Sequence, residues 1–168
     1  MRLGRDFFLR DALEVAPELI GKTIVRTLDD GTEIRLTITE TEVYRGEEDT
    51  ACHAHKGRTK RTEMLYRQGG TVYVYLCYGI HWLLNIITGP AGHPQGVLIR
   101  ACDGFEGPGK LTKKLAVTGE FNGADITTSP LLRLEDEGKM VNIITDKRVG
   151  IAYADERDRE RLWRFKRG

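Results

Sequence analysis

Two β-prone runs meet at a single glycine, Gly79. The first run, Thr71–Tyr78, alternates valine and tyrosine, and the second, Ile80–Ile87, is mostly isoleucine and leucine. β-branched and aromatic residues favour pleated strands, and a glycine between two such runs favours a tight turn. The sequence therefore predicts an antiparallel hairpin that carries Tyr78 at its tip.

Shorter elements are predicted on both sides of this hairpin. Apolar spacing from about Phe7 to Leu19 predicts a helix that Pro17 ends early or bends. With 168 residues and no repeat or linker, the chain is predicted to form one mixed domain, rich in antiparallel β-structure, over residues 1–168. Further strands are predicted at 22–27, 33–44, 96–102, 131–135, 141–145 and 149–152, and further helices at 62–67 and 110–117.

The composition argues against a secreted, membrane-spanning or disulfide-stabilised protein. No apolar run reaches the roughly 20 residues of a membrane span, and the first residues lack the apolar core of a signal peptide. We therefore expect a location inside the cell, in the cytoplasm near the nucleoid or in a nucleus. Cys52, Cys77 and Cys102 are scattered without a CxxC pair, so we expect reduced thiols and no zinc knuckle.

Charge alone does not identify a partner. The net charge is +1, and basic segments at 56–61 and 157–167 are offset by acidic segments at 47–49 and 135–137. Such runs are typical of solvated surfaces. For nucleic-acid binding the distribution of charge matters more than its sum. A nucleic-acid partner therefore has to be inferred from other residues.

Glu40, Glu42 and Tyr44 alternate along a predicted strand and therefore share one face. On an edge strand this pattern is most often a solvent-exposed face, because exposed charge is the default. The alternative is a carboxylate held in a polar pocket beside an aromatic ring, which suits a general base. These three residues alone leave both interpretations open.

Other polar and aromatic residues are candidates for a site. His53 and His55 form an HxH pair, but no other residue has the spacing of a further zinc ligand, so we predict neither metal nor cofactor. His53 instead suits a hydrogen-bonding group of a pocket. Tyr78 suits a wedge that enters the DNA minor groove when a base leaves the stack. Asn85 and Arg100 interrupt apolar strands, either as hydrogen-bonded structure or as part of a site.

A series of short motifs resembles, in order, the alkyladenine (3-methyladenine) DNA glycosylase family. Any one motif is weak, but the ordered set covers nearly the whole chain. The resemblance implies an α+β fold in which a curved, mostly antiparallel sheet has flanking helices and a protruding β-hairpin. The motifs are Val15–Gly21, Glu40–Tyr44, Glu48–His53, Tyr73–Gly79, Leu84–Ile86, Val97–Ala101, Gly107–Leu111, Arg148–Ile151 and Trp163–Phe165.

The resemblance also implies a monofunctional enzyme of base excision repair. It would act as a monomer on double-stranded DNA containing damaged purines of the 3-methyladenine, hypoxanthine and ethenoadenine type, and leave an abasic site. Glu42 matches the carboxylate that deprotonates the water attacking C1′ of a flipped nucleotide. Tyr44, His53 and Tyr75 match the pocket that stacks on and hydrogen-bonds the damaged base. Tyr78 matches the residue that fills the gap in the duplex.

Further roles follow from the same resemblance. Asn85 matches a residue that disfavours the exocyclic amine of normal guanine, and Arg100 matches an arginine that positions the nucleotide. The link from Ala101 to Gly107 is shorter than is usual in the family, and Thr62 replaces the usual asparagine. Four basic residues are predicted to contact the DNA backbone: Arg58, Lys60, Arg61 and Lys110.

Two other functions are open. A damaged-DNA-binding module without catalysis would keep Tyr78 and the basic segments but would not need Glu42. A hydrolase of free nucleosides would need neither the aromatic hairpin tip nor the basic segments. Its activity would be insensitive to salt, whereas binding of duplex DNA weakens steeply with salt. The presence of Glu42, Tyr44 and His53 together favours the glycosylase.

Overall fold

A curled antiparallel sheet of nine strands runs through the chain, and the computed structural model describes all residues, 1–168. The strands are β1 Thr23–Thr27, β2 Glu33–Arg45, β3 Val72–Cys77, β4 His81–Ile87, β5 Gln95–Cys102, β6 Phe105–Glu106, β7 Leu132–Glu135, β8 Ile143–Asp146 and β9 Arg164–Arg167. The main path has the order β3-β4-β5-β2-β1-β7, with β6 beside β5, β9 beside β2 and β8 beside β9. The predicted fold class is confirmed.

Strand β2 is the longest strand and lies inside the sheet. Its first half pairs with β1, and its second half pairs with β5 and with β9. The register with β5 shifts on either side of Glu40, and such a bulge sharpens the local twist of a strand. Glu42 therefore lies on an interior strand. The exposed edge-strand face, which the alternating pattern left open, is not what the chain forms.

The predicted hairpin is confirmed as β3 and β4, which pair antiparallel along their whole length. The amide of Ile80 donates to the Cys77 carbonyl at 3.1 Å. Between them, Tyr78 and Gly79 have φ of 52° and 67°. Positive φ at both central positions gives a primed turn, whose twist matches that of the flanking strands. The turn leaves the Tyr78 side chain 89% exposed at the tip.

Four α-helices pack around the sheet: α1 Arg5–Phe8, α2 Ala12–Leu19, α3 Pro108–Leu115 and α4 Glu156–Arg159. The single helix predicted from Phe7 to Leu19 is wrong. Asp11 interrupts it, because its carboxylate caps α2 by accepting from the Leu13 amide at 2.9 Å. Helices α2 and α3 pack on the sheet through a core of 26 buried residues. No helix has the length and apolar character needed to cross a membrane.

Two other predictions differ from the structure, and some short elements were not predicted. Residues 149–152 form a turn rather than a strand, because Gly150 has φ of +74° and the Val149 amide bonds a side chain instead of a neighbouring strand. The segment at 62–67 forms only a 3-10 turn, Glu63–Tyr66. Strand β9 is missing from the sequence-based prediction, because its one buried apolar residue, Phe165, lies between charged side chains.

Candidate active site

A cavity of about 750 Å³ opens beside the β3–β4 hairpin. The loop after β2, strand β5, the start of α3 and the turn at 149–153 complete its walls. A concave pocket of this size, mostly apolar with a few polar groups, suits a small planar ligand. Residues that the sequence places up to about a third of the chain apart meet there: Tyr44, His53, Tyr75, Tyr78, Asn85 and Arg100.

The Glu42 carboxylate lies in contact with the cavity wall and has no exposed area. Its Oε1 accepts a hydrogen bond from the Tyr44 hydroxyl at 3.0 Å, and its Oε2 accepts one from the Val149 amide at 2.6 Å. Arg100 Nη1 lies 3.5 Å from Oε1. All three neighbours line the cavity. Each carboxylate oxygen is therefore oriented by a donor that belongs to the wall.

Burial sets the proton affinity of this carboxylate. Removal from water raises the pKa of Glu42 above its ordinary value, while Arg100, the Val149 amide and the Tyr44 hydroxyl lower it in part. A carboxylate with a raised pKa takes a proton more readily, which suits a general base. Burial, and then the charge of Glu42, raises the pKa of Tyr44 well above its ordinary value, so Tyr44 stays a hydroxyl donor.

Three rings form a continuous aromatic wall. His53 and Tyr75 have ring centroids 4.6 Å apart, and Tyr73 and Tyr75 have centroids 5.3 Å apart. His53 Nδ1 lies 2.9 Å from the Tyr73 hydroxyl oxygen. Burial, followed by Arg61 and Lys56, lowers the pKa of His53, so the ring is neutral at neutral pH. Tyr73 is buried and also lines the cavity.

Asn85 and Arg100 both have partners within the fold. Asn85 is buried, and its Nδ2 donates to the Tyr73 carbonyl at 3.2 Å. Arg100 lies between two carboxylates, with Nε 3.5 Å from Glu40 Oε2 and Nη1 3.5 Å from Glu42 Oε1. Both side chains line the cavity. Each therefore combines a structural contact with a surface that a ligand can reach.

The basic residues predicted to contact DNA have different surroundings. Arg61 and Lys110 line the cavity. Lys60 is exposed and directly precedes Arg61 in the chain. Arg58 is already engaged, because its Nη2 donates to Glu63 Oε1 at 2.8 Å and its guanidinium lies 5.1 Å from the Tyr66 ring centroid. Contact of these four residues with DNA stays a prediction.

Three residues of the site are missing from the sequence-based prediction of roles. Val149 contributes a backbone amide, which no side-chain pattern identifies. Arg148 is buried and contacts the Tyr44 ring, with the guanidinium carbon 5.0 Å from the ring centroid. Tyr153 lines the cavity and donates to the Ala51 carbonyl at 2.9 Å. Gly150, a turn residue within the Arg148–Ile151 motif, was the available signal that this segment is not a strand.

His53 and His55 do not act as a pair. His53 bonds Tyr73, whereas His55 Nδ1 lies 2.7 Å from the Glu47 carbonyl oxygen. The two rings belong to one short 3-10 turn, His53–Lys56, and their partners lie on different segments. No group of three or more histidine, cysteine, aspartate or glutamate side chains converges as metal ligands would.

Comparison with known proteins points to one family. The model of the methylpurine-DNA glycosylase (MPG) family matches residues 6–106 and 103–167. A protein of Methanocella arvoryzae, provisionally named a 3-methyladenine DNA glycosylase, is 43% identical over 183 residues, with 97% of this chain and 90% of its own length covered. Proteins of Desulfitobacterium hafniense and Borreliella burgdorferi with the same provisional name are 39% and 41% identical, with 98% and 97% of this chain and 94% of each relative covered.

Proposed function

The chain belongs to the methylpurine-DNA glycosylase family, and from that premise we propose that it removes damaged purines from duplex DNA by base flipping and a Glu42-activated water. The family predicted from the ordered motifs is confirmed. As a 3-methyladenine DNA glycosylase, the protein is a hydrolase of N-glycosyl bonds and a DNA repair enzyme. Its lesions, its mechanism and the roles of its residues are the content of the proposal.

One observation carries the mechanism. A fully buried carboxylate, oriented at both oxygens by donors, adjoins an aromatic cavity beside an exposed tyrosine wedge. A purine inside a duplex cannot reach such a cavity, so the nucleotide has to leave the stack. The aromatic wall of His53, Tyr73 and Tyr75 supports stacking of the extruded base. Tyr44, on a different strand, supports contact with the base from another side.

The chemistry needs a base rather than a covalent intermediate. A water oxygen bonds C1′ of the sugar while the bond from C1′ to the purine nitrogen breaks, and that electron pair goes to the purine. The water proton goes to Glu42, and the negative charge of Glu42 stabilises the oxocarbenium-like sugar in the transition state of this step. A cationic alkylated purine leaves as a neutral base, whereas a neutral purine such as hypoxanthine leaves as an anion and takes up a proton from water. The other product is an abasic site. No side chain becomes attached to the sugar, so the strand is not cut.

Alkylation supplies both selectivity and reactivity. An alkylated purine carries positive charge, which makes it a better leaving group. A cationic ring also stacks favourably on the faces of tyrosine rings. A neutral His53 avoids repulsion of this charge. The cavity therefore suits several cationic or weakly bonded purines rather than one shape.

Access of the attacking water is part of the proposal. Glu42 has no exposed area in the unliganded chain. Arg100 and Val149 contact the carboxylate and line the cavity, so a water that enters between them meets Glu42 directly. We expect DNA binding to open this contact, because the Arg100 guanidinium is held at 3.5 Å from each carboxylate rather than at close hydrogen-bonding distance.

Tyr78 is proposed to hold the duplex open. Its ring is 89% exposed on a turn with no large neighbour at Gly79. An aromatic ring that takes the place of the extruded base recovers part of the lost stacking, which is worth about 1–3 kcal/mol per base. This offsets part of the few kcal/mol that flipping costs.

The test uses end-labelled duplexes that carry one hypoxanthine, one ethenoadenine or no lesion. We expect strand cleavage at the lesion only after alkali, and only in the modified duplexes. Cleavage without alkali would contradict the monofunctional mechanism. Selective binding without cleavage would favour the damage-sensing module, and salt-independent hydrolysis of free nucleosides would favour the nucleoside hydrolase.

A further inference from the structure

A buried ion pair adjoins the catalytic carboxylate. Arg148 Nη1 lies 2.8 Å from Asp49 Oδ2, and Nη2 lies 3.1 Å from Asp49 Oδ1. The two side chains are 0% and 1% exposed. Arg148 also donates to the carbonyl oxygens of Val43 at 3.0 Å and Asp158 at 3.1 Å. Burial of two charges is costly even when they are paired, so stability alone does not account for this pair.

The guanidinium is enclosed by aromatic rings. Its carbon lies 5.0 Å from the Tyr44 ring centroid and 5.1 Å from the Trp163 ring centroid. Its Nε is buried without a hydrogen-bond partner. A planar guanidinium combines ring contacts with a forked pair of hydrogen bonds, which an ammonium group does not. The position of Arg148 is therefore determined in both distance and orientation.

Both hydrogen-bond donors to Glu42 depend on this side chain. Tyr44, which donates to Oε1, is one of the rings that Arg148 contacts. Val149, which donates to Oε2, is the residue that follows Arg148 in the chain. The Arg148 side chain anchors that segment to Asp49, Val43 and Asp158. A shift of Arg148 would therefore move the Val149 amide and release one side of the Tyr44 ring.

We propose that Asp49 and Arg148 are positioning residues that hold the Tyr44 hydroxyl and the Val149 amide on the two oxygens of the Glu42 carboxylate. This inference rests on the proposed function, in which Glu42 is the general base. Neither residue contacts the DNA substrate in this role. Both act through Tyr44 and Val149.

The proposal has a signature in the pH profile. The Val149 amide and the Tyr44 hydroxyl lower the pKa of Glu42 against the larger opposite effect of burial. Displacement of these donors should raise that pKa further, so the acid limb of activity should move to higher pH. The other charged and titratable groups around Glu42 are Glu40 on β2, Arg100 on β5, Arg164 on β9, Tyr75 on β3, and Arg148 and Tyr153 of the turn region.

The test compares wild type with Arg148→Lys, which keeps a positive charge for Asp49 but loses the planar fork. Single-turnover excision of hypoxanthine is measured across pH, and lesion affinity is measured by fluorescence anisotropy. We expect the rate to fall roughly ten- to a hundredfold, as for small misplacements of catalytic groups. The acid limb should move to higher pH, with affinity within about threefold. Equal rates and equal acid limbs would overturn the proposal.

Arg161→Lys is the matched control. Arg161 also stacks on Trp163, at 4.6 Å, and its Nε lies 3.1 Å from Asp158 Oδ1. It is not bonded to Tyr44 or Val149, so the acid limb should stay in place. If the acid limb moves equally in both lysine variants, the effect comes from the Trp163 region, and the proposal is overturned.

Two further variants cover failure of Arg148→Lys to fold, which circular dichroism would show. The double variant Asp49→Asn, Arg148→Met removes both buried charges together. We expect its excision rate to fall as in Arg148→Lys and the acid limb of its pH profile to move to higher pH. Tyr44→Phe removes one donor and leaves the ion pair intact. An unchanged acid limb in a folded Tyr44→Phe protein would overturn the proposal. A wild type that makes no alkali-labile sites would overturn the proposed function as well, whereas equal behaviour of wild type and variants would overturn this inference alone.

Discussion

Replacement of Glu42 by glutamine should remove most turnover and leave the fold intact. The Val149 amide contacts Oε2 at 2.6 Å, and the Tyr44 hydroxyl contacts Oε1 at 3.0 Å. A glutamine side chain satisfies both neighbours. Its carbonyl oxygen accepts from the amide, and its NH₂ donates to the Tyr44 oxygen, because a hydroxyl is both donor and acceptor. The hydrogen that the Tyr44 hydroxyl gave to the carboxylate then turns to the cavity that Tyr44 lines, so both contacts to position 42 are kept.

The stability of Glu42→Gln follows from two opposing changes. Arg100 loses one carboxylate at 3.5 Å but keeps Glu40 at 3.5 Å. Against this loss, glutamine carries no charge and so avoids the desolvation cost of a buried carboxylate. That desolvation is the largest effect on the pKa of Glu42, and it raises the pKa. Because a raised carboxyl pKa means that ionisation destabilises the fold, the neutral variant gains relative to wild type as pH rises. We expect the free energy of unfolding at neutral pH to change by no more than about 1 kcal/mol.

The loss of activity should be much larger. A general base typically contributes about 10²- to 10⁴-fold in rate, or roughly 2.7–5.5 kcal/mol of barrier. Single-turnover excision with alkali measures the rate, anisotropy measures lesion affinity, and urea unfolding measures stability. Glu40→Gln, two residues away on the same face of β2, is the control. It keeps the hydrogen-bond donors to Glu42, so the excision rate should fall less than about tenfold. An excision rate of Glu42→Gln within tenfold of wild type would refute the role of Glu42 as general base. A loss of more than about 2 kcal/mol in the free energy of unfolding would refute the argument that glutamine keeps both hydrogen bonds.

Three further predictions concern the wedge, the pH profile and salt. Tyr78→Asn should leave stability unchanged or raise it by about 1 kcal/mol, because asparagine adopts a positive φ at lower cost than tyrosine does. Its affinity for a lesion should fall about tenfold, because the stacking of the tyrosine ring is lost. Thermal melts measure the first effect, and fluorescence anisotropy measures the second. The wild-type excision rate should fall on acidification at a pH above the ordinary carboxyl range, because burial raises the pKa of the base that must be ionised. Lys110→Gln should reduce the slope of log affinity against log salt by about 1, since one phosphate contact is lost.

Each of these outcomes has a control. Unchanged lesion affinity in Tyr78→Asn would contradict the wedge, whatever the stability. An acid limb at the pH of an exposed glutamate would contradict the role of burial, and the flat profile expected of Glu42→Gln is its reference. Lys113→Gln, on the same helix but outside the cavity wall, should leave the salt slope unchanged. Equal slopes in the two lysine variants would remove Lys110 from the DNA contacts.

Local patterns were enough for the hairpin and for the face of β2. The alternation of valine and tyrosine before Gly79 predicts β3 and its turn, because strand propensity and turn geometry act over a few residues. Glu42 and Tyr44 share a face for the same reason, since side chains two apart in a strand point the same way. The Tyr44 hydroxyl indeed contacts Glu42. The ordered motifs added the family, which the comparisons confirm.

Local sequence patterns mispredicted the structure mainly where a residue bonds a group that is far away in the chain. One failure was local: Asp11, whose carboxylate accepts from the Leu13 amide two residues on, divides two helices that the apolar spacing merges. The apolar run at 149–152 resembles a strand, but Arg148 is drawn into the interior by Asp49, 99 residues away. The same contact turns the Val149 amide toward Glu42, 107 residues away. Propensity carries no information about such contacts, because they form only when distant segments close on one another.

Local patterns in the chain specify its chemical groups and their order: a carboxylate and a tyrosine on one face of a strand, and a tyrosine beside the glycine of a tight turn. The chemical behaviour of those groups depends on how the chain folds. The fold buries Glu42 completely, supplies the Val149 amide and Arg100 as its neighbours, and places the Asp49–Arg148 pair beside them. The reason is physical: proton affinity and orientation depend on burial and on the exact neighbours of a group, and both are properties of the folded chain.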